Sequence, residues 1–390
     1  MINILITGAR TALNNGTLSI IASGIEELSK RINNAQFIIL SPNKDVDSPI
    51  YQKTIVSNKL GISGLNYSPF LPYSLKIFLL MLQSIPNYFK SDIIIDMRGE
   101  GYVNFKVAIV QSTQLLLAYI LGKPFIIYAQ SIGPFDSRIN RLLAKITLNK
   151  AALITIREPI SMGYFESLNI ENNAVLCADQ AILLRPASYD DVVAILKNIG
   201  VNQNKPIIGI SPTPNDLILN NFAKLSDYLI KKYGAQILII PHANDELLGG
   251  CKGNSDLTAA HELKSRINEH ESVKIIGNEY FGKILKGIMG CCDIYISSRW
   301  HAAIASISLS NPTIVISSAH KSAAMNMVGM EKFVLDPQEI DYNILLKKVE
   351  ECWHNRIDIR NHLLGKKDYL ESMSLKSAEL SAEIINKMAQ

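Results

Sequence analysis

What most constrains this chain is a regular alternation of short, β-branched apolar runs with longer stretches of helical period. Ile4–Thr7, Phe37–Leu40, Ile93–Asp96, Phe125–Tyr128 and Leu153–Ile156 are apolar at nearly every position. A strand buried on both faces reads this way, whereas a strand with one wet face alternates. Between these runs, 16–31, 106–121 and 137–150 carry apolar residues at helical spacing. The order predicts parallel strands joined by crossover helices that cover both faces of a sheet. The polar, proline-bearing stretch 185–206 interrupts the pattern, and a second series follows. Its strands are expected at Ile207–Ile210, Ile237–Ile240, Val273–Ile276, Ile294–Ile296, Thr313–Ile316 and Phe333–Leu335. Its helices are expected near 218–233, 254–269, 281–290, 301–309 and 321–328.

At 390 residues the chain is longer than one hydrophobic core usually supports. The expected fold class is therefore α/β, with two doubly wound Rossmann-like domains facing a cleft. The N-terminal domain is read over 1–190 and the C-terminal domain over 205–365, and residues 366–390 read as an amphipathic helix packing back on the first domain. In such sheets ligands bind in the loops that follow the strands.

Composition removes several function classes. With 48% hydrophobic and 19% charged residues the chain is globular and not disordered. A formal charge of +4 and the lack of RNP, helix-turn-helix or zinc-finger patterns argue against nucleic acid as a partner. The five cysteines are scattered without CxxC spacing, which fits a reducing compartment and no structural zinc. The first residues lack the basic and long apolar regions of a signal peptide, and no apolar run reaches the ~18 residues of a membrane span. A cytoplasmic location is expected. The apolar segment 76–86 reads most simply as a core helix. Tyr73, Lys76, Phe78 and Lys90 around it also suit a helix making peripheral contact with the inner face of the membrane.

The residues able to carry chemistry cluster after strands. Ser298, Arg299 and His301 follow one strand and open an apolar helix, whose N-terminal amides favour an anion. Arginine adds a planar, two-pronged donor for phosphate or carboxylate. Histidine can exchange a proton near neutral pH. A second strand, Thr313–Ile316, leads to His320 and Lys321, which adjacency would bring to the same place. In the first half Gln130 and Ser131 precede a Gly133-Pro134 turn, and their side chains suit sugar hydroxyls. Arg157, beside Glu158 at a helix start, and Asp179 also end strands, as do the loops containing Asn15, Gly99 and Glu100. His242 and Asp245 follow the strand at 237–240. Neither glycine loop is a GxGxxG or a P-loop, and GxSxG and HExxH patterns are absent.

Taken together, these segments resemble the polysaccharide pyruvyl transferase family in order and spacing along nearly the whole chain. The matching pieces are the Asn14-Asn15-Gly16 loop, Asp92–Gly101, Gln130–Pro134, Arg157–Ser161, Ala178–Ala181, Ser298–His301 and Pro312–Lys321. Thr17 stands where the family's loop usually has an acid, and Gly99-Glu100-Gly101 replaces the usual Gly-Gly. Both departures fall in the half expected to meet the acceptor.

The resemblance implies a fold similar to GT-B glycosyltransferases and a reaction with phosphoenolpyruvate as co-substrate, with no cofactor and no metal. It implies that the pyruvyl group goes onto a glycan acceptor, lipid-linked or polymeric, as a ketal, with release of phosphate. His301 and Arg157 would then be catalytic. Arg299, Lys321, His320 and Ser298 would bind the donor, and Asn15, Gly99, Glu100, Gln130, Ser131, Asp179 and His242 the acceptor. Two other readings fit the same residues: a GT-B glycosyltransferase with a nucleotide-sugar donor, for which Glu279 could meet a ribose, and a non-catalytic glycan-binding protein.

Overall fold

The computed structural model describes residues 1–9, 12–41, 44–51, 54–58, 73–243, 255–317 and 323–388. The chain divides into two compact units: Met1–Ala12, Ile20–Gln180 and Ser372–Gln390 form one, and Leu13–Ser19 with Ala181–Glu371 form the other. Each is doubly wound α/β, as the alternation of apolar runs predicts.

The first unit holds strands β1 (Ile2–Thr7), β2 (Ala35–Ser41), β3 (Ile55–Asn58), β4 (Ile93–Asp96), β5 (Glu100–Gly101), β6 (Phe125–Ile132), β7 (Leu153–Ile156) and β8 (Val175–Leu176). They run parallel in the order β3-β2-β1-β4-β6-β7-β8, with β5 pairing β6 off that path. The order reverses between β1 and β4. Leu5, Ile94, Ile127 and Ile154 on these strands pack with Leu115 and Ala118 of the helix Phe105–Ile120 into one core. Each fully buried aliphatic side chain contributes about 1.5–3 kcal/mol. A register shift between Ile127 and Gln130, with Ala129 at φ 47°, interrupts β6 just before its carboxyl end.

The second unit holds β9 (Ile207–Ser211), β10 (Gln236–Ile239), β11 (Val273–Ile275), β12 (Ile294–Ser297), β13 (Thr313–Ile316) and β14 (Val334–Leu335). Their order is β11-β10-β9-β12-β13-β14, again parallel throughout. The switch point lies between β9 and β12, where a doubly wound sheet opens a crevice at its carboxyl edge.

The passage from one unit to the other falls at Gln180–Ala181, ahead of the polar stretch 190–205 where the composition suggests it. That stretch opens with a helix, Tyr189–Asn198, capped by Ser188. Its Val192 and Leu196, one turn apart, enter the core of the second unit. The final helix starts at Arg356, ten residues before the pattern indicates, and runs to Met388. Residues 76–86 lie in the helix Tyr73–Lys90; the side chains of 73–81 are outside the described set, and beyond them Tyr88 is buried while Leu82 and Phe89 are exposed. Among the described residues no helix is long and apolar enough to cross a membrane.

Candidate active site

In the second unit the polar residues gather at the β9/β12 switch point. Beyond β12 the Ser298 amide donates to Ser211 O (3.0 Å) and the Ser298 hydroxyl donates to the same carbonyl (3.2 Å). Thr213 Oγ1 donates to Ser298 Oγ (3.0 Å), so the loops after the two central strands are tied together. Ser297 Oγ accepts from the Arg299 amide (3.0 Å) and donates to Arg299 O (2.8 Å). This turn starts the helix Trp300–Ile307, with Arg299 at its cap and no side chain closing the amides.

Arg299 is held by an acid that the sequence does not single out. Its Nε donates to Asp256 Oδ1 (2.8 Å) and Oδ2 (3.0 Å), and its Nη2 also meets Oδ1. Asp256, the first residue of the helix Asp256–Arg266, is fully buried and accepts from the amides of His242 (3.1 Å) and Ala243 (2.8 Å). Burial pushes its carboxyl above the ordinary range while Arg299 and the two amides pull the other way. The Arg299 side chain remains 33% exposed.

His242 lies just beyond β10 and is 5% exposed. Burial first, then the nearness of His301 and Arg299, lowers its pKa to about 3, so it is neutral at physiological pH. Among the described residues neither of its ring nitrogens has a hydrogen-bond partner. The segment 13–19 closes this corner. Asn14 pairs with Ala243, and its Oδ1 accepts from the amides of Gly16 (3.1 Å) and Thr17 (3.2 Å). Asn15 donates through its amide nitrogen (3.2 Å) and Nδ2 (3.0 Å) to His242 O, and its Oδ1 accepts from Gly282 N (2.7 Å). Gly16 packs against the His301 ring: a Cβ there would stand 2.6 Å from Cγ and Nδ1. Only glycine allows that approach.

The polar residues of the first unit form a different kind of cluster. Gln130 is fully buried, and its Nε2 donates to Asp96 O (2.9 Å) while its Oε1 accepts from Gln111 Nε2 (2.9 Å). Gln111 Nε2 also reaches Asp96 Oδ2 (3.0 Å), Arg98 Nε donates to both Asp96 oxygens (2.9 and 2.8 Å), and Arg98 Nη2 donates to Gln114 Oε1 (2.8 Å). At the end of β7, Arg157 Nε donates to Ser131 Oγ (2.8 Å), Nη1 meets Asp179 Oδ2, and Nε lies 3.3 Å from Glu158 Oε1. Burial opposes the charge on Arg157, but Asp179, Glu158 and Glu100 outweigh it and hold its pKa above the ordinary value. Ser131 in turn donates to Glu158 (2.7 Å).

The structure thus brings Ser298, Arg299, His301, His242 and Asn15 into one unit, and Gly99, Glu100, Gln130, Ser131, Arg157 and Asp179 into the other. Asn15 and His242, read from the sequence with the acceptor side, belong with Arg299 and His301, because 13–19 joins the second unit and His242 follows its strand β10. Gln130 and Asn15 hold the frame and turn no amide to solvent, and Arg157 takes the ion pair with Glu158 that its helix-start position suggests, with Asp179 added. His320, Lys321 and Asp245 lie outside the described residues. Asp256, Thr213 and Ser297 carry no motif that marks them in the sequence. An acid in the first turn of a helix after a strand was the available sign for Asp256, yet its partner is 43 positions away.

Two doubly wound parallel sheets in one chain, with polar residues at the carboxyl edge of each, define a GT-B-like enzyme fold. The chain belongs to the polysaccharide pyruvyl transferase family, whose profile matches residues 18–320. It is similar to the amylovoran biosynthesis protein AmsJ of Erwinia amylovora, 22% identical over 294 residues that cover 70% of this chain and 68% of AmsJ. In fold it is similar to Anabaena HepE in complex with UDP-glucose (TM-score 0.64, 14% identity, 99% of this chain and 100% of HepE). It is also similar to the UDP-GlcNAc 2-epimerase of Neisseria meningitidis (TM-score 0.61, 13% identity, 99% and 100%).

Proposed function

We propose that this protein transfers the pyruvyl group of phosphoenolpyruvate onto a sugar of a polysaccharide or its lipid-linked precursor, forming a pyruvate ketal and releasing phosphate. Family membership and the likeness to AmsJ support a pyruvyl transferase role in polysaccharide biosynthesis. The observation that carries the donor assignment is the partly exposed Arg299, clamped by buried Asp256 at an uncapped helix start, with His301 two residues on. Asp256 engages Nε and Nη2, which leaves the Nη1 prong to meet a phosphate or carboxylate. His242, kept neutral, carries one ring N–H that would donate to the same anion.

In this reading His301 gives a proton to C3 of the enol, and C2 becomes oxocarbenium-like. An acceptor hydroxyl oxygen bonds to C2 and its proton restores His301. The C2–O bond to phosphate breaks with the electron pair leaving on phosphate. A second hydroxyl closes the ketal, and its proton leaves with the phosphate. Glu100, Ser131 and the Arg157–Asp179 pair would orient the acceptor hydroxyls, with Arg157 positioning the carboxylates around it. Lys321 and His320 would complete the donor seat. A lipid-linked acceptor would place the enzyme at the inner face of the membrane.

The likeness to proteins solved with UDP-sugars keeps a nucleotide-sugar donor as the second reading, since one basic seat suits both anions. Thermal shift separates them: phosphoenolpyruvate alone should raise the melting temperature, whereas stabilisation by a nucleotide sugar alone would favour the second reading. Stabilisation by neither would favour a glycan-binding protein.

A further inference from the structure

The helix Arg138–Leu148 of the first unit turns Asn140, Ala144, Thr147 and Leu148 inward. Its outer face is unusual for a surface helix. Ile139 and Leu142 are each 56% exposed and Ile146 45%. At about 100° per residue these three fall within roughly 60° of arc, so they form one stripe. Arg138, Arg141 and Lys145, all exposed, run along one edge of it. Lys150 bounds the other edge, its Nζ 5.2 Å over the ring of Tyr119. That contact joins the stripe to the end of the helix Phe105–Ile120, where Tyr119 and Ile120 are 50% and 77% exposed. Residues 137–150 contain no Asp or Glu. Asp136, just before them, is hydrogen-bonded by Asn140 Nδ2.

We propose that this face docks on an anionic lipid bilayer, with Ile139, Leu142 and Ile146 entering the headgroup boundary and the flanking cations meeting lipid phosphates. A narrow apolar stripe flanked by basic residues is the composition of an interfacial helix, which gains from apolar burial and from the negative surface together. A second copy of the chain suits the face poorly. A two-fold contact through it would set Arg138, Arg141 and Lys145 against their own counterparts. The surface is distinct from 76–86 and does not depend on which donor the enzyme uses.

Co-sedimentation of the full chain tests it, using vesicles of phosphatidylcholine alone and of phosphatidylcholine mixed with phosphatidylglycerol. The wild type is expected to pellet with the mixed vesicles and stay in solution with the neutral ones. Ile139→Asn, Leu142→Asn and Ile146→Asn combined, all at exposed positions, should lower binding by at least about tenfold, and Arg138→Gln or Lys145→Gln by about fivefold each. Equal pelleting with neutral vesicles, no pelleting with either, or full binding by the triple variant would overturn the assignment. So would a vesicle-free wild type that sediments as a dimer and becomes monomeric in the triple variant, since the face would then be occupied by a second copy.

Discussion

The two carboxyl-edge clusters of this protein use similar residues to opposite ends. In the first unit Arg157 faces Asp179, Glu158 and Glu100, and Arg98 faces Asp96, so each cation meets at least its equal in carboxylates. Gln111 and Gln130 cross-link that network from within. In the second unit Arg299 has one buried acid, and beside it His242 lies buried and neutral with no partner for its ring among the described residues. A cluster with excess carboxylate around a buried arginine suits neutral hydroxyls, and an arginine that keeps a third of its side chain exposed suits an anion. That contrast supports the proposed placement of the donor in the second unit and the acceptor in the first.

The largest break in this comparison should come from His301→Ala. Pyruvyl transfer is expected to fall by at least about a thousandfold with an unchanged melting temperature, since general acid–base groups contribute about 10²–10⁴. Near-normal turnover would remove His301 from the proton transfer. Gly16→Ala comes next. Its methyl would lie 2.6 Å from the His301 ring, and a displaced catalytic group loses on the order of a hundredfold in rate. A readout that moves kcat while sparing donor binding would distinguish displaced His301 from a lost binding seat. Asp256→Asn should act on binding instead, raising the donor KM about tenfold as Arg299 loses its bidentate clamp.

The smallest effect concerns pH. His242 has a folded pKa of about 3 against an ordinary value of 6.5. Between those values the unfolded chain takes up a proton that the folded one does not, so stability falls as pH falls, by about 1.4 kcal/mol per unit. From pH 7 to pH 5 the wild type should therefore lose about 2 kcal/mol more than His242→Gln. Parallel losses in denaturant titrations of the two proteins would show that His242 is protonated in the fold.

Much of this was readable in the sequence, for physical reasons that also mark the limit. Ile93–Asp96, Leu153–Ile156 and Thr313–Ile316 match the expected strands to the residue, because strands buried on both faces have no alternative pattern. The strands Glu100–Gly101 and Val175–Leu176 are two residues each and carry no periodicity. The helix Tyr189–Asn198 hid among prolines and acids, with Val192 and Leu196 as its main apolar sign. Of the site, Arg299 and His301 are legible from their place after a strand. Asp256 and Gly16 are not, since one acts through a partner far along the chain and the other through the space it leaves empty. The burial of His242 follows from packing and leaves no sign in the sequence.

The contrast between the units is tested most directly by calorimetric titration of phosphoenolpyruvate into three proteins. The wild type and Ser131→Ala, altered in the first unit, should bind it with the same affinity, and Arg299→Ala should show no measurable heat. Undiminished binding by Arg299→Ala, or loss of binding in Ser131→Ala alone, would contradict the placement of the donor.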